Sequence, residues 1–243
     1  MREKWDKKAQ TYAKFEGNLS EFGKRLFEIL REENIDFAGK TLIDVGAGTG
    51  VYSLYLATLG AKVYALDSSE GMLKQLRESA LKYGIAVEQI INDDFANFVK
   101  FNERKFDIAF LSMCPALQSE ADFDSFLALG RRKIYINWAS ARNSSMLAPI
   151  FAHFGARKSP INLSTQIFEL NLKNKSIKFS SHLLSEKRVM KRNLEEAVEN
   201  ALWHLDMSKV EANSYEVQKL LENKVQNGII TDEIEASFKI FII

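Results

Sequence analysis

The chain has one cysteine, Cys114, and three prolines among its 243 residues. It has no apolar run approaching the roughly 20 residues that a membrane-spanning helix needs. A lone cysteine leaves no internal disulfide and no cysteine-based zinc site. The three histidines, His153, His182 and His204, are scattered without ligand spacing, so no metal is expected. An excess of charge of one sign is also missing: 33 Lys and Arg meet 32 Asp and Glu, for a net charge of +1. That balance argues against a protein whose main task is gripping nucleic acid. The opening residues Met1 to Lys8 carry no apolar stretch behind their charges and do not read as a signal peptide. No repeat or low-complexity tract is visible. The expectation is a soluble, cytoplasmic, globular protein, with enough chain for one sizeable core or a core with an appended cap.

What is present is patterned. Leu19, Phe22, Leu26, Ile29 and Leu30 recur at three- and four-residue steps and predict an amphipathic helix before Gly39. The period then changes. Thr41 to Val45 reads as a short buried strand broken at Gly46, and helical spacing resumes from Tyr52 to Leu59. Lys62 to Leu66 is a second strand ending at Asp67, and Met72, Leu76, Ala80 and Tyr83 mark a helix that Ser68 or Ser69 can cap. Val87 to Ile91, Phe106 to Leu111 and Lys133 to Trp138 are further strands, with a helix from about Asp122 to Leu129 between the last two. Apolar strands alternating with amphipathic helices predict a parallel sheet covered on both faces. Beyond Trp138 the pattern gives a helix from Met146 to Phe154, a strand from Ile177 to Leu184, helices from Asn193 to Leu205 and Tyr215 to Val225, and a closing strand from Ala236 to Ile243. The terminal run Phe238 to Ile243 would aggregate as an exposed edge and is expected to insert into the sheet. The mixed charges of Ser185 to Arg188 read as surface.

The segment Asp44-Val45-Gly46-Ala47-Gly48-Thr49-Gly50 lies between a strand and a helix. A glycine-rich turn there lets the backbone approach a ligand at a helix N-terminus. Asp67 closes the next strand about 20 residues on, where a carboxylate can accept hydrogen bonds from both hydroxyls of a ribose. Together they predict an adenosine-type ligand at the carboxyl edge of the sheet. The dinucleotide pattern G-x-G-x-x-G wants a glycine where Val51 stands, which opposes a dehydrogenase.

Glycines at 46, 48 and 50 behind Asp44 resemble the first motif of class I S-adenosylmethionine-dependent methyltransferases. Ala65 to Leu73 is similar to the second signature of that family, and Trp5-Asp6-Lys7-Lys8-Ala9-Gln10-Thr11-Tyr12 to the opening of many small-molecule members. Ile91 to Phe95 and Phe106 to Phe110 stand where the family places its adenine-contacting acid and its fourth strand. The resemblance covers about residues 5 to 138. It implies a doubly wound, Rossmann-like α/β fold with a mostly parallel sheet and an antiparallel C-terminal strand. A single domain over 1–243 is expected: an N-terminal helical segment (1–38), a cofactor-binding core (39–138) and a C-terminal part (139–243) whose helices at about 193–226 cap the site.

The roles implied are these. Gly46, Ala47, Gly48, Thr49 and Gly50 cradle the methionine part of S-adenosylmethionine, with Asp44 near its amino group. Asp67 binds the ribose, beside Ser68 and Met72. Asp94 or Asp93 takes the adenine amino group, with the Phe95 backbone beside the ring. Ser112 and Met113 approach the reacting methyl. Apart from the resemblance, aromatic faces hold cations, which offers Trp5, Tyr12 and Trp138 a place around the sulfonium or a cationic acceptor. Methyl transfer is an in-line displacement in which positioning dominates, leaving S-adenosylhomocysteine. Ser112-Met113-Cys114-Pro115-Ala116 stands where amino-group methyltransferases carry Asn/Asp-Pro-Pro-aromatic, and its departures oppose DNA-base methylation. Tyr12, Cys114, Asn137, Trp138 and His204 are candidates for the acceptor pocket. Cys114 reads as packing or pocket lining rather than a nucleophile. His204 reads as a helix residue that could also serve as a base. The acceptor is expected to be a small molecule, with no nucleic acid or membrane partner, acting as monomer or homodimer. An RNA or protein methyltransferase and a non-catalytic cofactor-binding interaction protein are the rival readings.

Overall fold

A computed structural model describes residues 2–156 and 163–243. The chain divides into two compact units. The first comprises the chain up to Asn137 with Gln166–His182 and Lys239–Ile243, and the second comprises Trp138–Thr165 and Leu183–Phe238.

In the first unit, α1 (Arg2–Lys8) and α2 (Glu21–Glu32) precede the sheet. Ser20 caps α2 by accepting from Gly23 N, and Phe22, Leu26, Ile29 and Leu30 form its buried stripe. Then β1 (Thr41–Val45), α3 (Val51–Thr58), β2 (Lys62–Asp67), α4 (Glu70–Tyr83), β3 (Gln89–Asn92), α5 (Phe95–Phe101), β4 (Phe106–Ser112), α6 (Glu120–Leu129) and β5 (Gly130–Trp138) alternate, as the pattern predicts for all but α5. The strands run parallel in the order β3-β2-β1-β4-β5, with Val45 opposite Leu66 and Leu111, and Ser112 opposite Ile136. The order reverses between β1 and β4, so the carboxyl ends of those strands flank the crevice where open α/β sheets bind ligands. Leu42, Ile43, Val45, Leu66 and Leu111 are buried, as two-sided coverage requires.

Later come β6 (Asn143–Ser144), α7 (Leu147–His153), α8 (Leu163–Asn174), β7 (Ser180–Arg192), α9 (Leu194–Met207), α10 (Ser214–Glu222) and β8 (Ile230–Ile242). The end of β8 completes the first unit's sheet. Ile243 and Lys133 exchange both backbone hydrogen bonds, at 2.9 and 3.0 Å, the signature of an antiparallel pair. The terminal run is therefore inserted rather than left as an edge. In the second unit β8 pairs antiparallel with β6, Ser144 opposite Ile234. There α7, α9 and α10 share a core of Leu147, Ile150, Ala201, Leu205, Val217 and Leu221.

Two expectations need correction. The strand placed at Ile177 to Leu184 begins at Ser180 and runs on to Arg192. Its inward residues are also of the other parity, since Leu183 is 67% exposed while Ile177 and Phe179 pack on the core as irregular chain. Counting by twos across a break in the strand flips the face. Ser185 to Arg188 lies within that strand, with Glu186 half-buried. Among the described residues no helix is long and apolar enough to cross a membrane, and no three His, Cys, Asp or Glu side chains gather as metal ligands would.

Candidate functional site

At the end of β1 the chain turns back under itself. Gly46 N and Ala47 N both donate to Leu66 O, at 2.8 and 3.0 Å, and Gly50 N closes the turn on Ala47 O at 3.0 Å. Gly46 has φ 75°, and a Cβ there would fall 2.2 Å from Cys114 Sγ, so no other residue fits without displacing Cys114. Gly48 also has positive φ, at 56°, but a Cβ would meet nothing within 4 Å. Its outer side is open to a ligand.

Asp67 ties the loop to the next element: Oδ2 accepts from Gly48 N and Oδ1 from Ser69 N, both at 2.8 Å. Burial raises its pKa, and the two amides oppose that rise. Asp44 is buried and its Oδ2 accepts from Ser53 Oγ on α3 at 2.5 Å. Its carboxyl is pushed up to about 7, by burial first, with Ser53 pulling down and Asp67 pushing up. Asp44 thus braces β1 against α3, through a partner that sequence reading did not single out.

The N-terminal segment is fastened over this loop. Asp6 Oδ1 accepts from Ser69 Oγ at 2.6 Å and from Gly71 N at 2.9 Å, bonds that lower its pKa. A Cβ on Gly71 would come within 2.9 Å of Asp6 Cα and O, so the two backbones touch. Thr49 Oγ1 donates to Ala13 O at 2.5 Å. Between these anchors Trp5 and Tyr12 meet edge to face at 6.0 Å, with Tyr12 42% exposed. Ser69, not Ser68, caps α4, accepting from Met72 N at 3.1 Å. The Met72 side chain is buried, and Ser68 O receives a hydrogen bond from Asn92. Asp6 belongs to the Trp5–Tyr12 motif, but its anchoring role has no local signal because its partners lie more than 60 positions away.

After β3, Asp94 caps α5 by accepting from Asn97 N at 2.8 Å, while both oxygens of Asp93 accept from Asn97 Nδ2. Asp94 is exposed, Asp93 half-buried and Phe95 buried. At the end of β4, Ser112 Oγ is buried without a hydrogen-bond partner. Met113 follows at φ 53°, a strained value for a non-glycine residue. Cys114 packs against Gly46, and burial, with Asp67 and Asp44 nearby, pushes its thiol up to about 12. A thiol held protonated is a packing group, not a nucleophile. Asn137 Nδ2 donates to Tyr135 OH at 2.7 Å, and the buried Tyr135 is raised to about 12. Trp138 and His204 belong to the second unit. Trp138 stacks on Phe238 at 4.5 Å, and His204 Nε2 lies 3.4 Å from Arg142 Nη1.

An unsatisfied hydroxyl on Ser112, an open glycine backbone at Gly48 and a half-buried carboxylate at Asp67 converge at the ends of three adjacent strands. Such a set suits a ligand with hydroxyls and an amino acid portion, the composition of S-adenosylmethionine. Residues 42–133 match the family described as "Methyltransferase domain". Over 81 residues the chain is 36% identical to a ribosomal protein L11 methyltransferase of Helicobacter hepaticus, a stretch that takes in 33% of this chain and 25% of that one. The fold is shared with precorrin 8w decarboxylase of Methanobacterium thermoautotrophicum (TM-score 0.53, 15% identity, 95% of each chain). It is shared too with a Bacillus halodurans protein (TM-score 0.52, 15% identity, 90% of this chain and 97% of that one). The glycine loop and Asp67 both fall within the matched stretch, so residues 42–133 carry a methyltransferase domain, similar to those of the class I S-adenosylmethionine-dependent enzymes.

Proposed function

We propose that the protein transfers a methyl group from S-adenosylmethionine to a small-molecule acceptor. When bound, the cofactor supplies a methyl already activated by its sulfonium sulfur. The protein's task is therefore to hold, orient and exclude water. Gly46 to Gly50 offer backbone to the amino acid end, Asp67 accepts from the ribose, and Asp93 or Asp94 faces the adenine side. Ser112 and Met113 line the reacting end.

The observation that carries the small-molecule reading is the N-terminal strap. Its bonds from Asp6 to Ser69 and Gly71, and from Thr49 to Ala13, lay residues 6 to 13 across the glycine loop and the start of α4. A strap so placed narrows the approach, which favours a small acceptor over a folded macromolecule. The even charge supports the same reading.

Calorimetric titration with S-adenosylmethionine, S-adenosylhomocysteine and NAD tests the cofactor. Micromolar binding of both sulfur nucleosides is expected, on the order of −8 kcal/mol. Asp67→Ala should weaken it more than tenfold with the far-ultraviolet dichroism unchanged. Binding of NAD alone would overturn the cofactor assignment. Incubation of an extract with methyl-labelled S-adenosylmethionine tests the acceptor: label is expected in the small-molecule fraction, and label confined to RNA or protein refutes a small acceptor.

A further inference from the structure

Arg142 immediately precedes β6, within the second unit. It is partly buried, and its Nε is closed off from solvent without a hydrogen-bond partner. The nearby acids are taken by other arginines. Asp232 is fully buried and pairs with Arg192 at 3.3 Å, while also accepting from Ser144 Oγ at 2.6 Å and Met146 N at 3.2 Å. Glu186 faces Arg188 at 3.7 Å. Two carboxylates thus meet two guanidinium groups, and Arg142 is a third, with no carboxylate within 4.0 Å among the described residues. Arg188 and Arg192 press on it with like charge, and Asp232 and Glu186 attract it only from beyond ion-pair distance.

Arg142 does meet one side chain. Its Nη1 lies 3.4 Å from His204 Nε2, and a guanidinium can only donate there. His204 shares one face of α9 with Asn200 and Trp203, at the i, i+3, i+4 spacing of a helix. Asn200 Oδ1, one turn from His204, is also buried without a partner. A guanidinium nitrogen sealed from solvent without an acceptor is costly, and so is the unfilled oxygen of Asn200. A ligand with oxygens to receive the guanidinium donors, and a hydroxyl or amino group for Asn200, would satisfy both.

We propose that Arg142, backed by Arg188 and Arg192 and flanked by the Asn200–His204 face of α9, is a recognition site for the oxyanion of a small molecule, a carboxylate or a phosphate. The planar fork of arginine suits either group in a bidentate pair. The site is built entirely from the second unit, so it stands or falls apart from the cofactor reading.

The test compares wild type with Arg142→Gln in inorganic phosphate, in succinate, and in sodium chloride of matched ionic strength. Melting temperature and tryptophan fluorescence, which includes Trp203, are followed. In wild type, phosphate or succinate should raise the melting temperature saturably above the chloride control. Arg142→Gln should melt no lower than wild type without anion and bind at least tenfold more weakly. A response to phosphate alone assigns a phosphate-bearing ligand, and a response to succinate alone a carboxylate. Arg142→Lys keeps the charge without the fork, should fold, and should bind with intermediate affinity. If wild type responds no more to either anion than to chloride, or if Arg142→Gln binds as tightly as wild type, the assignment is overturned.

Discussion

Asp44 is the residue that costs this fold most visibly. It sits between the buried apolar Ile43 and Val45, and its carboxylate accepts from Ser53. Its carboxyl titrates at about 7 instead of 3.8. A folded pKa raised above the unfolded value means that the native state keeps its proton longer. The native state therefore loses stability as pH climbs from about 4 to about 7, and the loss is complete above that. The displacement corresponds to about 4 kcal/mol. Asp44→Asn keeps an acceptor for Ser53 and removes the titration. Relative to wild type it should gain stability on going from pH 4.5 to pH 8, by up to about 4 kcal/mol. Urea unfolding of both proteins at the two pH values measures this, and a difference that does not change with pH would show that Asp44 titrates normally. A fold keeps such a group where a cation will stand beside it, which is the role the family resemblance assigns to Asp44 at the cofactor's amino group.

At the scale of elements, the strap is the piece whose removal most directly tests the site. Asp6 holds it by two bonds on the first turn of α4, where a carboxylate also meets the positive end of the helix. Asp6→Ala should leave the sheet intact and free the strap. Trypsin would then cut after Lys7 and Lys8 at least several-fold faster, and S-adenosylmethionine would bind roughly two- to tenfold more weakly, a loss of up to about 1.4 kcal/mol. Unchanged cleavage would mean that Thr49 and Ala13 suffice to hold it. Elements like these differ in how far the sequence reveals them. Strands β1, β2, β4 and β5 were legible because each is a short apolar run between glycines and amphipathic helices. Helix α8 was not, because Phe168 and Leu172 are buried while Ile167 and Leu170 are 44% and 57% exposed, so apolar residues occupy two faces and no stripe stands out. Helix α5 is seven residues with an exposed Phe101, too short to show a period. The glycine loop and Asp67 were legible because their chemistry is local in sequence. The Asp44–Ser53 brace and the strap's anchors were not, because they depend on pairs that only folding brings together.

At the scale of the whole molecule, the chain passes between its two units at residues 137, 165, 182 and 238, so neither unit is a continuous segment. The first unit is completed by Lys239–Ile243. Phe241 is fully buried there, its ring 6.0 Å from Tyr135, 5.4 Å from Phe168 and 5.7 Å from Phe179. Beside it Ile243 and Lys133 exchange their backbone bonds. Contacts so distant in sequence form late and slowly. They also make the terminal residues part of the core of the cofactor-binding unit rather than a tail. Phe241→Ala should therefore cost about 3–5 kcal/mol, a large share of the 5–15 kcal/mol typical of a native protein. Deleting residues 239–243 should cost more, since it also strips β5 of a paired neighbour and exposes an edge that can aggregate. Urea unfolding of the full chain, of Phe241→Ala and of the deletion, with S-adenosylmethionine binding measured alongside, distinguishes the two cases. A deletion that unfolds at the wild-type urea concentration and still binds the cofactor would show that the sheet is complete at β5. Loss of binding together with stability would show that the site, although read from the first half of the sequence, is held in place by its last residues.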